Sequence, residues 1–327
     1  MEVLELSRSE LEGQFTQPPS VPAGWAEAVA KGGVRHQELT THSLQAAFEL
    51  GQRSATLSHA FFAGYQVALQ VLQKKSRLCN ETAALCVTER KGNRPYQIET
   101  RLVMAANDFS AGDPAYTLSG EKSFITGANL VDQWLVLAIS GEEDSGRKQF
   151  KLVRLSTGNL SQHVRVAALP ELPMVSRVPH GAAVFDGVIV RSEDLLPGCG
   201  YQDYVRRFRW LEDVHVMASI LGCLQSLGQY WENRSLETLA WSLSAALFSL
   251  GVAPSASEGV DVVVYGWVGE QLRAILPGAL NASVERHGNQ VHELRRDLRL
   301  FSVAEEARAR RIERFWMTRE EAEPGSA

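Results

Sequence analysis

Cysteine is scarce in this chain, with four thiols, Cys79, Cys86, Cys199 and Cys223, among 327 residues. None forms a C-x-x-C pair and no Cys/His cluster has zinc-ligand spacing, which excludes a disulfide scaffold and a zinc module as organising principles. The thiols read as buried or free in a reducing cytosol, so a cytoplasmic location is expected and no metal is expected. Long apolar runs are missing too. Each is interrupted well before the ~18 residues that a membrane span needs. Positive charge is not concentrated anywhere. The net charge is −5, and the densest basic stretch (Arg308, Arg310, Arg311, Arg314) is interleaved with Glu305, Glu306 and Glu313. That mixture reads as a solvated helix face, and the footprint of a nucleic-acid binder is absent. The first fifteen residues carry Glu2, Glu5, Glu10 and Glu12, and are not expected to act as a secretory signal. No G-x-G-x-x-G stands between a strand and a helix, which argues against a Rossmann-bound nicotinamide.

What remains is an ordinary globular composition, 45% hydrophobic and 22% charged, long enough to bury a full core without staples. Its texture changes twice. From Gln37 to Lys75, Ala46, Ala47, Leu50, Phe61, Phe62, Tyr65, Leu69 and Leu72 recur at helical spacing, with Gly51 a plausible interruption. Pro18, Pro19 and Pro22 break any long helix before it. From Thr82 to Val190 short β-rich runs alternate with turn clusters, and no helix intervenes. From Tyr201 onward helical spacing returns over Val205–Gln229, Leu236–Leu250, Val260–Leu276 and Asn281–Arg308. The third of these is apolar almost all round, which predicts burial inside a bundle. The expected fold class is α+β: an N-terminal helical region (1–78), a central antiparallel barrel or sandwich (79–198) and a C-terminal helical bundle (199–327).

Residues with chemical interest lie in the second and third regions. Leu118-Ser-Gly-Glu-Lys122 reads as a turn between two strands, with Gly120 free to take a positive φ. Phe124 and Thr126 flank Ile125 and should share a strand face. That pair suits either a flavin ring or plain core packing with a cross-strand partner. On the first long C-terminal helix, Glu212 and Asp213 are adjacent, pointing about 100° apart, and His215 lies where it can share the Glu212 face. Acids near a helix start are also ordinary dipole partners, so a solvated or structural role for Glu212 stands beside a chemical one. Arg206, Arg207 and Arg209 are candidates for phosphate contact or for a solvated flank.

The segment Tyr116-Thr-Leu-Ser-Gly-Glu-Lys-Ser-Phe-Ile-Thr-Gly-Ala-Asn129, followed by Asp132-Gln-Trp-Leu-Val-Leu-Ala138, resembles the acyl-CoA dehydrogenase superfamily. Ala183-Val-Phe-Asp-Gly-Val-Ile-Val190, then Glu193-Asp-Leu-Leu-Pro-Gly198, is similar to a second motif of that family, and Leu221-Gly222 to the end of its first long C-terminal helix. The resemblance implies FAD, with Thr88, Phe124 and Thr126 at the cofactor, an acyl thioester (acyl-CoA or carrier-bound) as substrate, and a homo-oligomer paired through the C-terminal bundle. It implies α,β-dehydrogenation by α-proton abstraction and hydride transfer, with Glu212, ten residues before Gly222, in the place of the base used by a minority of members. There are departures. Thr88-Glu89 continues as Arg90-Lys91-Gly92-Asn93 where the family has a Gly-Ser-Asp motif, Arg234 lacks its Phe-Gly, and Gly251–Gly259 replaces a glycine-rich loop. A catalytically inactive relative, kept as a subunit or binding module, is the alternative.

Overall fold

The computed structural model describes residues 43–73, 81–105, 115–250, 260–303 and 305–322. The proline-rich lead, Cys79, the Gly112-Asp113-Pro114 separator, the 251–259 connector and the extreme C-terminus lie outside the described residues. Two helices come first, α1 (Ser43–Gln52) and α2 (Leu57–Leu72). Seven strands follow: β1 (Ala83–Cys86), β2 (Arg101–Met104), β3 (Ala115–Thr126), β4 (Gln133–Glu142), β5 (Lys148–Ser156), β6 (Val164–Ala168) and β7 (His180–Arg191). The chain then forms α3 (Arg206–Tyr230), α4 (Arg234–Phe248), α5 (Val260–Asn281), α6 (Val284–Asp297) and α7 (Glu305–Ala322).

Helix α2 starts at Thr56, whose side chain accepts from the His59 N–H, the capping geometry that satisfies one orphan donor of the first turn. Nearly every residue of α2 is buried, because it lies between the sheet and α3. Its polar side chains are spent on the edge of β1. Gln66 donates to the Ala83 carbonyl at 3.0 Å and accepts from the Ala83 N–H at 2.9 Å, while the Tyr65 hydroxyl accepts from the Leu85 N–H at 2.9 Å. Side chains thus occupy an edge that a further strand would otherwise seek. Glycines let α1, α2 and α3 approach closely. A Cβ on Gly51 would lie 1.9 Å from the Ser219 carbonyl oxygen, and one on Gly222 2.0 Å from that of Phe48. Gly51 therefore packs against α3 in the last turn of α1, and the break in the helical run follows directly at 53–56.

The strand order is β1-β4-β2-β3-β7-β6, with β5 on the other edge of β4. Most pairings are antiparallel, as expected, but β1 and β2 both run parallel to β4. They follow one another along the same edge of β4, Cys86 opposite Val136 and Arg101 opposite Ile139, with the 87–100 segment as the loop between them. Residue alternation reports which face is buried and carries no information on partner direction. The expected turn at Leu118–Lys122 is also corrected. β3 runs through it as one strand against β7, with a register shift between Leu118 and Gly120. Gly120 does take a positive φ, 144°, because a side chain there would collide with the backbone of Thr100. Helix α5 departs from full burial: Trp267 and Ile275 are exposed.

Candidate active site

The sheet contributes the end of β3. A second register shift falls between Lys122 and Ile125 and puts Phe124 at φ 55°. This bulge breaks the simple alternation expected for Phe124 and Thr126. The Phe124 ring is 56% exposed and Thr126 is half-buried. A bulky residue in the left-handed region costs on the order of 1–3 kcal/mol and persists only where the surroundings impose it. Two residues before Phe124, β3 is anchored by a buried ion pair. The Lys122 ammonium, fully buried, pairs with the equally buried Glu89 carboxylate at 2.6 Å. Glu89 also accepts from the Thr100 hydroxyl (2.7 Å), the Thr100 N–H (3.1 Å) and the Glu99 N–H (2.7 Å). Burial opposes a charge on Glu89, but Lys122, Thr100 and the Glu99 amide outweigh it and hold the carboxyl below its usual range. Burial pulls the Lys122 ammonium downward, with Glu89 opposing that shift. The Ser123 N–H donates to the Thr88 carbonyl at 2.8 Å. The Ser123 hydroxyl is buried with no hydrogen-bond partner among the described residues. Thr88 thus supports the bulge through its backbone.

The Thr126 hydroxyl lies 3.4 Å from His180 Nε2 on β7. His180 Nδ1 is 2.9 Å from the Val178 carbonyl, so Nδ1 carries the hydrogen and Nε2 accepts from Thr126. Burial lowers the pKa of His180, which favours that neutral form. The Tyr65 phenol is also within hydrogen-bonding reach of Thr126. Tyr65 is packed among Phe61, Phe62 and Phe208, the last edge-on at 5.4 Å.

Helix α3 contributes the carboxyl. A π-helical turn, Gly200–Val205, leads into it, and the Asp203 carboxylate closes that turn by accepting the Cys199 N–H at 2.7 Å. Glu212 is half-buried and makes no hydrogen bond or ion pair among the described residues. Burial, followed by the neighbouring Asp213 charge, pushes its pKa up to about 8, with Arg308 and Arg209 opposing the rise. Asp213 has a different environment: it is bound by Arg308 at 3.0 Å and by Arg311, both on α7. A carboxyl with raised proton affinity next to one engaged by arginines is a recurring arrangement in acid–base sites. His215 does not share the exposed side of Glu212. It is fully buried, with Nδ1 2.7 Å from the Leu211 carbonyl and Nε2 2.9 Å from the Ser43 hydroxyl, and burial lowers its pKa to about 4. Its role is to join α3 to α1. Arg206, Arg207 and Arg209 are exposed, and only Arg206 makes a hydrogen bond, to Gln202 at 3.4 Å.

The Glu212 charge is felt at the Tyr65 phenol, the group that reaches Thr126. Tyr65 thus links the sheet side and the helix side of the junction, a role that helical periodicity alone does not reveal. Two hollows in the described residues lie elsewhere. One, of about 450 Å³, runs between α4 and α5 past Arg234 and Trp267, and another, of about 280 Å³, lies between α5 and the start of the α7 lead at Phe301.

No protein-family model matches the sequence, and no curated protein matches it either. Solved structures do match the fold. The chain aligns with butyryl-CoA dehydrogenase from Megasphaera elsdenii at a TM-score of 0.62 and 13% identity, over 95% of this chain and 90% of that one. The FAD complex of PigA aligns at 0.60 and 15% identity, over 94% and 93%. The prolyl acyl carrier protein oxidase AnaB aligns at 0.57 and 15% identity, over 90% and 84%. The chain therefore has an acyl-CoA dehydrogenase-like fold.

Proposed function

We propose that the chain is a flavin-dependent oxidoreductase that dehydrogenates an acyl thioester, with Glu212 as the base. The observation that carries this reading is the contrast on α3: an unpaired, half-buried carboxyl at about 8 beside one held by two arginines. An α-proton is weakly acidic, and a carboxylate removed from water and left unneutralised is a stronger base than one in a salt bridge. Glu212 accepts a proton only in its ionised form, so activity rises as pH increases through about 8.

The residues on β3 suit a flavin ring. Phe124 presents an exposed aromatic face on a strained bulge, and the buried Ser123 hydroxyl beside it has no hydrogen-bond partner among the described residues. Phe124 and Thr126 would hold the ring, and Thr88 would brace them through its carbonyl. When bound, FAD supplies the hydride acceptor, and the protein supplies placement. Glu212 takes the proton, Thr126 offers a hydroxyl, and the Phe61–Phe62–Tyr65–Phe208 cluster keeps water from the junction. The substrate, acyl-CoA or a carrier-bound acyl group, is inferred from fold relatives that include a butyryl-CoA dehydrogenase and a carrier-protein oxidase. Free thiols at Cys86, Cys199 and Cys223 accord with a cytoplasmic setting.

One observation favours a second reading, a catalytically inactive relative serving as a subunit or binding module. The Thr126 hydroxyl is already paired with His180, and neither hollow opens beside it. The visible absorption spectrum of the purified chain separates the two. A yellow protein that releases FAD on denaturation supports the oxidoreductase. A colourless chain that cannot be reconstituted with FAD supports the binding module.

A further inference from the structure

Arg308 spends its guanidinium on three places at once. Nε and Nη2 both donate to Asp213 Oδ1, at 3.1 and 3.0 Å, and Nη1 donates to the carbonyls of Phe301 and Val303, each at 2.9 Å. The carbonyls belong to the segment between α6 and α7, so one side chain closes that bend and fastens it to α3. Arg311, one turn further along α7, donates to the other Asp213 oxygen. Asp213 is largely buried and both arginines are mostly so, which makes this a clamp with little solvent screening. It meets α3 at the residue immediately after Glu212. Solvated tails do not need such an arrangement, and the acid–base reading of Glu212 leaves it unexplained.

We infer that Asp213, Arg308 and Arg311 are positioning residues for Glu212: by clamping α7 onto α3 they fix the field in which that carboxyl gains and loses its proton. The functional sense of this rests on the proposed role of Glu212 as base. The groups facing Glu212 are Asp213 and Arg209 on α3, Arg308 on α7, Tyr65 on α2 and Tyr265 on α5. Both tyrosines are buried, and burial holds each phenol protonated across the neutral range. The adjustable charges are therefore the clamp and Arg209. Asp213 opposes a negative Glu212, and Arg308 favours it. The clamp balances one against the other while keeping α7 in place.

Opposite charges give the test its sign. In Asp213→Asn the repelling charge is lost and the arginines remain, so the proton affinity of Glu212 falls. In Arg308→Gln the attracting charge is lost and Asp213 remains, so the affinity rises. Each change is about threefold or more, and Arg308→Lys stays near the parent. If the cluster were only a structural staple, both variants would loosen α7 and hydrate Glu212, and its affinity would fall in both. The readout is the protonated-carboxyl infrared band of the full chain, followed over about pH 5 to 10, with Glu212→Gln as the blank that identifies it. Opposite shifts support the inference. Shifts of the same sign, or none, overturn it. If Arg308→Gln does not fold, Arg308→Lys decides: it keeps the charge but loses the donors to the Phe301 and Val303 carbonyls, so an affinity near the parent supports the inference and a fall overturns it. The titration needs neither flavin nor turnover. Failure to bind FAD would remove the oxidoreductase reading without touching this result.

Discussion

At the residue scale, the chain holds two ionisable arrangements of opposite design. Glu212 is a carboxyl left unpaired, and its raised pKa is a statement about stability as well as chemistry. Its folded value, about 8, exceeds its unfolded value, so the folded state binds the extra proton between roughly pH 4.5 and 8. The contribution is fully present below that window and is lost as pH rises through it. Glu212→Gln removes the dependence. The variant should gain on the order of 1–3 kcal/mol over the parent at pH 8 and little at pH 5, measured by urea unfolding. Acyl thioester turnover should fall by at least ~100-fold. Unchanged turnover would remove Glu212 from the mechanism. The Glu89–Lys122 pair has the contrary logic. Both charges are buried and every oxygen of Glu89 is engaged. Lys122→Met should cost about 3–5 kcal/mol by leaving a lone buried carboxylate. The double variant Lys122→Met, Glu89→Gln should recover much of that, and a double variant no more stable than the single would argue against this account.

Among the elements, α3 is the spine on which the site is built. One face meets α1 and α2 through glycines, and the same helix carries Glu212. Gly222→Ala places a methyl group against the Phe48 carbonyl, and neither backbone can yield without moving a helix. A loss of ~1–3 kcal/mol or more is expected in thermal or urea unfolding. An unchanged midpoint would mean that the helices lie further apart. Glycine 222 was noticeable in the sequence as half of a Leu-Gly pair near a helix end. Its reason is not local, since helix propensity alone would favour alanine there. The β3 bulge makes the same point. The segment Leu118–Lys122 carries turn residues, yet it is strand, because a partner on either side supplies the hydrogen bonds that an isolated turn would make for itself.

For the molecule as a whole, α5 leaves Trp267 and Ile275 exposed along the hollow it forms with α4, while Trp241 and Phe248 of α4 lean on Phe48 of α1 at ring distances of 5.3 and 5.6 Å. The face carrying Trp267 and Ile275 is where a second copy would bury apolar surface. In line with the proposed homo-oligomer, we expect light scattering of the parent chain to give at least twice the monomer mass. Trp267→Glu, which puts a charge in that face, should shift the mass toward the monomer while leaving the helical circular dichroism unchanged. A parent chain that is already monomeric would contradict the proposal.

The sequence by itself determined the order of the three regions, most strand and helix positions and the acyl-CoA dehydrogenase-like plan. The regions and their elements follow from the hydrophobic period, 3.6 or 2, which a chain carries locally; the plan follows from the motifs at Tyr116–Asn129 and Ala183–Gly198 that resemble the family. It also marked Glu212, Phe124, Thr126 and Thr88 as the residues to watch. Only the tertiary structure decided what became of them. Glu212 and Asp213 look alike in the chain, and what separates them is a pair of arginines 95 and 98 residues away. Phe124 is exposed at a bulge of β3, two residues after the buried Lys122 that pairs with Glu89. Tyr65 joined the site because α2 packs against β1. Proton affinity and backbone strain depend on which groups the fold brings within a few ångströms, and separation along the chain carries little information about that distance.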